Sequence, residues 1–150
     1  MRRRYCVGVI LLLGLGILPA VLSAQQPGGV SSGNRGAAES RVGSNYPNPF
    51  NPQTWVPFYV LEEDVRGGPV KVTIRIFNVL QQLVAYPVAY DYPGGGSPVL
   101  NNLAYDSPGK YTAYWDGKDS RGQQVASGLY YIQVVYNGRT VGIKKALVGK

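Results

Sequence analysis

From Trp55 onward, apolar residues recur at every second position, and a chain with that period builds half-buried strands rather than helices. Val56, Phe58 and Val60 alternate with Trp55, Pro57 and Tyr59, while Val70, Val72, Ile74 and Ile76 alternate with Lys71, Thr73, Arg75 and Phe77. A third strand is predicted over 82–89 and a weaker one over 99–104. Further strands are predicted over 110–115, 129–136 and 140–148, with a short extended piece over 124–126. Between the last two strands, Asn137-Gly138 supplies both left-handed positions of a type I′ turn. No stretch after the N-terminal region carries the pattern of an amphipathic helix. About seven short strands separated by Gly, Pro, Asn and Asp turns predict an antiparallel, immunoglobulin-like β-sandwich over residues 45–150.

The first 24 residues have a different texture. Arg2, Arg3 and Arg4 precede an apolar run over 7–18, and Pro19 leads into the small-residue stretch ending at Ala24. That is the layout of a secretory signal peptide with cleavage after Ala24. The apolar run is shorter than the roughly 20 residues of a spanning helix, so no stable membrane span is expected. Cys6, the single cysteine, lies inside this segment. The product expected after cleavage therefore has no thiol.

Residues 25–44 are rich in Gly, Ser and Gln with only two valines. They are read as a flexible linker, because so little apolar surface does not offset the entropy of ordering. The box Asn45-Tyr46-Pro47-Asn48-Pro49-Phe50-Asn51-Pro52 follows. Its prolines fix φ and remove backbone donors, which predicts a stiff, non-helical entry segment pinned to the domain by Tyr46 and Phe50. A recognition motif for a partner is the alternative reading.

Charge and absent residue types exclude several function classes. The formal charge is +7; without the three signal arginines, twelve basic side chains face eight acidic ones, a net of +4. The basic residues are scattered and form no stripe, so nucleic acid is not an expected partner. There is no histidine. Together with the missing thiol this removes Ser-His-Asp and Cys-His nucleophile systems, His-ligated zinc and structural disulfides. Asp116 and Asp119 are compatible with a calcium ion, yet an Asp-Gly turn accounts for them, and Glu62-Glu63-Asp64 reads as a solvated turn. The sequence thus points to no catalytic residue, no metal and no cofactor. Eleven tyrosines remain after residue 24. Period two places some on exposed faces, where they either form stabilising cross-strand ladders or bind a ligand. Residues 86–108, containing Pro93-Gly94-Gly95-Gly96-Ser97-Pro98, read as either a tolerated insertion or a binding loop.

The ordered set of motifs carries a resemblance. It comprises Asn45 to Thr54, Ile76-Phe77-Asn78-Val79-Leu80 with Gln82-Leu83-Val84 after it, and Gly109-Lys110-Tyr111 ahead of Trp115-Asp116-Gly117. Gly122, Ser127-Gly128-Leu129-Tyr130 and Lys144-Lys145 complete it. In these residues the chain resembles the C-terminal, type A sorting domain of type IX secretion cargo, over essentially all of 45–150. It is similar also to the Ig-like domain of the flagellar hook-capping protein, whose pattern overlaps the first. The resemblance implies a non-catalytic domain that folds in the periplasm and whose last strands are read as an address. The implied partners are the outer-membrane type IX translocon and its associated sortase, with surface lipopolysaccharide as a further attachment point. The implied destination is the extracellular space or the cell surface.

The matching positions, taken as sorting-signal candidates, are Gly128, Tyr130, Asn137, Gly138, Lys144, Lys145 and Lys150. Each has a structural alternative: Gly128 starts a strand, Tyr130 fills the core, Asn137 and Gly138 turn the hairpin, and terminal lysines protect an edge strand. The competing function is an extracellular binding or structural module for a glycan or protein ligand.

Overall fold

The computed structural model describes residues 41–149. The expected signal peptide, residues 25–40 of the expected linker and Lys150 lie outside them. Among the described residues there are eight strands: β1 (Thr54–Val60), β2 (Val70–Phe77), β3 (Leu83–Ala85), β4 (Val88–Ala89), β5 (Leu103–Tyr105), β6 (Gly109–Trp115), β7 (Gly128–Tyr136) and β8 (Arg139–Val148). One helical turn, α1 (Glu62–Val65), joins β1 to β2.

The strands form two antiparallel sheets. One has the order β1-β6-β4; the other runs β3-β2-β7-β8, with β5 also alongside β2. In the letters of the immunoglobulin fold these are B-E-D and C′-C-F-G, and the leading segment plays the part of strand A. Val42 bridges Phe58 in antiparallel sense, and Phe50 bridges Val148 in parallel. The segment thus crosses from the edge of one sheet to the edge of the other.

Alternation predicted the inward set correctly. Val56, Phe58, Val60, Val70, Val72, Ile74 and Ile76 are all buried, as are Ile132 and Val134 on β7, the strand beside β2. Burying each such side chain contributes about 1.5–3 kcal/mol relative to leaving it exposed. Two aromatic groups anchor the interior. Phe58, Tyr105 and Tyr111 meet with ring centroids 4.5–5.8 Å apart, whereas Trp115 lies 5.2 Å from Phe50 and 5.5 Å from Tyr130. Pro57 sits within β1 because its missing N–H faces the sheet edge. There its carbonyl accepts from Gly43 N–H, while the β6 partner of Pro57 is Thr112 on the other side.

Three sequence expectations are corrected. The predicted strand over 82–89 is two strands in different sheets: Ala85 pairs with Ile76, but Val88 pairs with Tyr114. The switch falls at Tyr86-Pro87, where proline cannot donate to a ladder. The weaker strand expected over 99–104 is a single bridge at Val99 and the short β5 at Leu103–Tyr105, with the chain between them packed into the sandwich. Leu100 is fully buried; its N–H donates to Pro87 and its carbonyl accepts from Ile74. Finally, ordered structure begins before residue 45. Arg41 bonds Asp64 at 2.9 Å and Glu63 at 2.6 Å, and Val42 is buried in the core. Glu62-Glu63-Asp64 therefore forms a helical turn that holds the entry segment, with Asp64 Oδ2 also accepting from Leu61 N–H.

Candidate recognition surface on the terminal hairpin

The hairpin β7–β8 holds six of the seven sorting-signal candidates, and the structure gives them different tasks. Asn137 and Gly138 have φ of 47° and 81°, the two left-handed positions of the expected turn. Asn137 also ties the turn to β2: its Oδ1 accepts from Lys71 N–H at 2.9 Å, and its own N–H donates to Lys71 O at 2.9 Å. Gly128 opens β7 with φ 147°. Tyr130, at the start of β7, is buried, and its hydroxyl donates to Ala126 O, four residues upstream, at 2.9 Å. This is the tyrosine corner of immunoglobulin-like sandwiches. Burial pushes its phenol pKa up. These four residues build the hairpin and its corner.

Lys144 and Lys145 are separated by the strand. Lys144 stands opposite Ile132, and therefore on the inward side at the rim, where it is half-buried. Lys145 stands opposite Tyr131, which in turn is opposite Phe77. Adjacent strand residues project to opposite faces, so only Lys145 belongs to the outer face.

That outer face is apolar for an exposed surface. Ile143 is 56 % exposed, Val79 61 % and Leu147 43 %. With Phe77, Gln81, Tyr131 and Gln133, Ile143 and Val79 line a shallow cavity of about 560 Å³. Sequence reading took Phe77 merely as an outward member of its alternating strand. The available signal was that Ile76-Phe77 and Tyr130-Tyr131 are apolar at both phases, so that neither face of the sheet there is polar.

β8 is also an edge strand. Phe50 N–H donates to Leu147 O at 2.9 Å, and Asn48 Oδ1 accepts from Leu147 N–H at 2.9 Å. Hence Leu147 directs its backbone away from β7, and by alternation so do Lys145 and Ile143. Asn48 Nδ2 donates to the Lys145 carbonyl at 3.2 Å. Upstream of that contact the outer edge of β8 has no strand beside it among the described residues.

The carboxylates noted in the sequence are engaged in turns. Asp116 Oδ1 accepts from Lys118 N–H, and Asp119 Oδ1 accepts from the N–H groups of Arg121 and Gln123, both at 2.9 Å. Among the described residues no three Asp, Glu, His or Cys side chains gather in a metal-holding group, and no helix is long and apolar enough to cross a membrane. Comparison of the chain with protein-family models, curated proteins and solved structures gives no match. Fold and surface together define an all-β, two-sheet sandwich of immunoglobulin-like type with an exposed apolar face and an open edge on its last hairpin.

Proposed function

We propose that the chain is an exported, non-catalytic immunoglobulin-like module whose last hairpin acts as an address for type IX secretion and surface targeting. The observation that carries the reading is β8, the longest strand, lying at a sheet edge with unpaired backbone near Ile143 and with Lys145 beside the Phe77–Tyr131 face. An edge strand with free donors and acceptors is recognised by strand addition, and neighbouring side chains add selectivity. The outer-membrane translocon and its sortase are the proposed readers, and lipopolysaccharide the proposed attachment point. The N-terminal signal supports a route through the periplasm, with a mature chain that starts at Gln25.

The test is a folded reporter inserted within residues 25–40 of the full chain in a host with type IX machinery. The reporter is expected outside the cell, and intact mass of the exported protein is expected to lack residues 1–24. Lys145→Ala is expected to leave the reporter in the periplasm with the domain still folded, since an exposed surface substitution changes stability by only about 0.5 kcal/mol. Secretion by a chain ended at Asn137, or periplasmic retention of the unmutated chain, defeats the reading.

A further inference from the structure

On the sheet that does not contain the hairpin, an aromatic row runs across neighbouring strands. Tyr46 lies opposite Trp55, and Trp55 opposite Tyr114. The Tyr46 and Trp55 rings are nearly parallel, 19° apart with centroids at 6.2 Å, and Tyr114 follows at 5.6 Å from Trp55. The Tyr114 hydroxyl is held by Gln53 Oε1 at 2.8 Å. Beside this row Tyr90 N–H donates to Thr112 O, and Asp91 Oδ1 accepts from Thr112 N–H at 2.8 Å. Tyr46, Trp55, Tyr90, Asp91 and Thr112 together line an open groove of about 360 Å³, within the size range of small-ligand sites.

Sheet stabilisation accounts for Trp55 and Tyr114 but not for the whole constellation. Tyr90 is 62 % exposed and Tyr46 51 %. Tyr90 has no ring partner among the described residues. An exposed ring confers no packing advantage on the free domain, yet it offers a flat apolar surface with a polar tip to a ligand. Asp91 is fixed through one oxygen by Thr112, and its second oxygen has no protein partner among the described residues. Flat rings flanked by a fixed hydrogen-bond acceptor complement a sugar ring, which presents an apolar C–H face and a rim of hydroxyl donors.

We propose that this groove is a saccharide-binding site in which Trp55 and Tyr90 stack on a pyranose ring and the free oxygen of Asp91 accepts from its hydroxyls. The site lies on a different sheet from the hairpin and does not depend on the export reading. The test is titration of the full chain with soluble cello-, chito-, xylo- and manno-oligosaccharides, followed by tryptophan fluorescence and calorimetry. Saturable binding of at least one series is expected. Tyr90→Ala and Trp55→Ala are each expected to weaken it about tenfold or more, equivalent to about 1.4 kcal/mol. Asp91→Asn, which keeps the acceptor for Thr112, is also expected to weaken binding. Because Tyr90 is exposed, its variant should melt like the parent, so loss of binding is separable from loss of fold. No saturable binding to any of the four series, or undiminished affinity in both Tyr90→Ala and Trp55→Ala, overturns the proposal.

Discussion

The carbonyl oxygen of Pro52 occupies the position that a side chain on Gly117 would require. Two sequence motifs far apart in the chain, the proline box and Trp115-Asp116-Gly117, are thereby one structural joint. Phe50 packs against Trp115 on the same joint, and Trp115 Nε1 donates to Lys118 O at 2.8 Å. Gly117 also has φ 72°, a conformation that a Cβ disfavours.

Gly117→Ala is therefore expected to destabilise the domain by about 2–4 kcal/mol, combining left-handed strain with overpacking against the Pro52 backbone. Urea unfolding should show a lower midpoint with unchanged slope. A midpoint equal to the parent's would contradict the joint.

Phe50→Ala should cost about 3–5 kcal/mol, the range for a large buried aromatic replaced by a small residue. Asn48→Ala removes the bonds to Leu147 N–H and Lys145 O, at about 1 kcal/mol. Amide exchange at Leu147 should quicken while that of Ile132, in the sheet interior, stays slow.

Arg41 joins the entry segment to α1, and its hydrogen bonds to Asp64 hold its pKa above the ordinary value. Arg41→Ala leaves Asp64 without its cation and is expected to cost about 1–3 kcal/mol. Arg41→Lys should recover only part of this, since a lysine does not reproduce the forked contact. Thermal melts of the two variants and the parent decide the order.

Alkaline pH should unfold the domain. Burial is the leading cause that raises the pKa of Tyr105, Tyr136, Tyr111 and Tyr130 above the ordinary 10.0. The folded state thus keeps its phenolic protons where the unfolded chain releases them. The associated stability is fully present below about pH 10 and is lost as pH rises toward the folded pKa values, by about 1.4 kcal/mol per pH unit for each tyrosine that ionises only on unfolding. Melting temperature followed alongside tyrosinate absorbance should show the last tyrosines ionising together with unfolding. Ionisation of the full set of tyrosines near the ordinary 10.0 without loss of fold would refute the burial.

The long strands β1, β2, β6, β7 and β8, the inward residues and the Asn137-Gly138 turn were legible from residue order, because period two and left-handed turn positions are local properties. The resemblance rests on the same kind of local motif. Partner choice between strands is not local. Nothing in the alternation over 82–89 tells that Ala85 and Val88 join different sheets, since both phases look alike until Pro87 interrupts the ladder. The same limit hid the recruitment of Arg41 and Val42, whose partners Asp64 and Phe58 lie well downstream. It also hid the separation of Lys144 from Lys145, which are adjacent in order but stand opposite Ile132 and Tyr131 on different faces of the sheet. The groove between Trp55 and Tyr90 arises only when β1, β6 and the chain after β4 come side by side, because antiparallel pairing brings together residues that their spacing along the chain keeps apart.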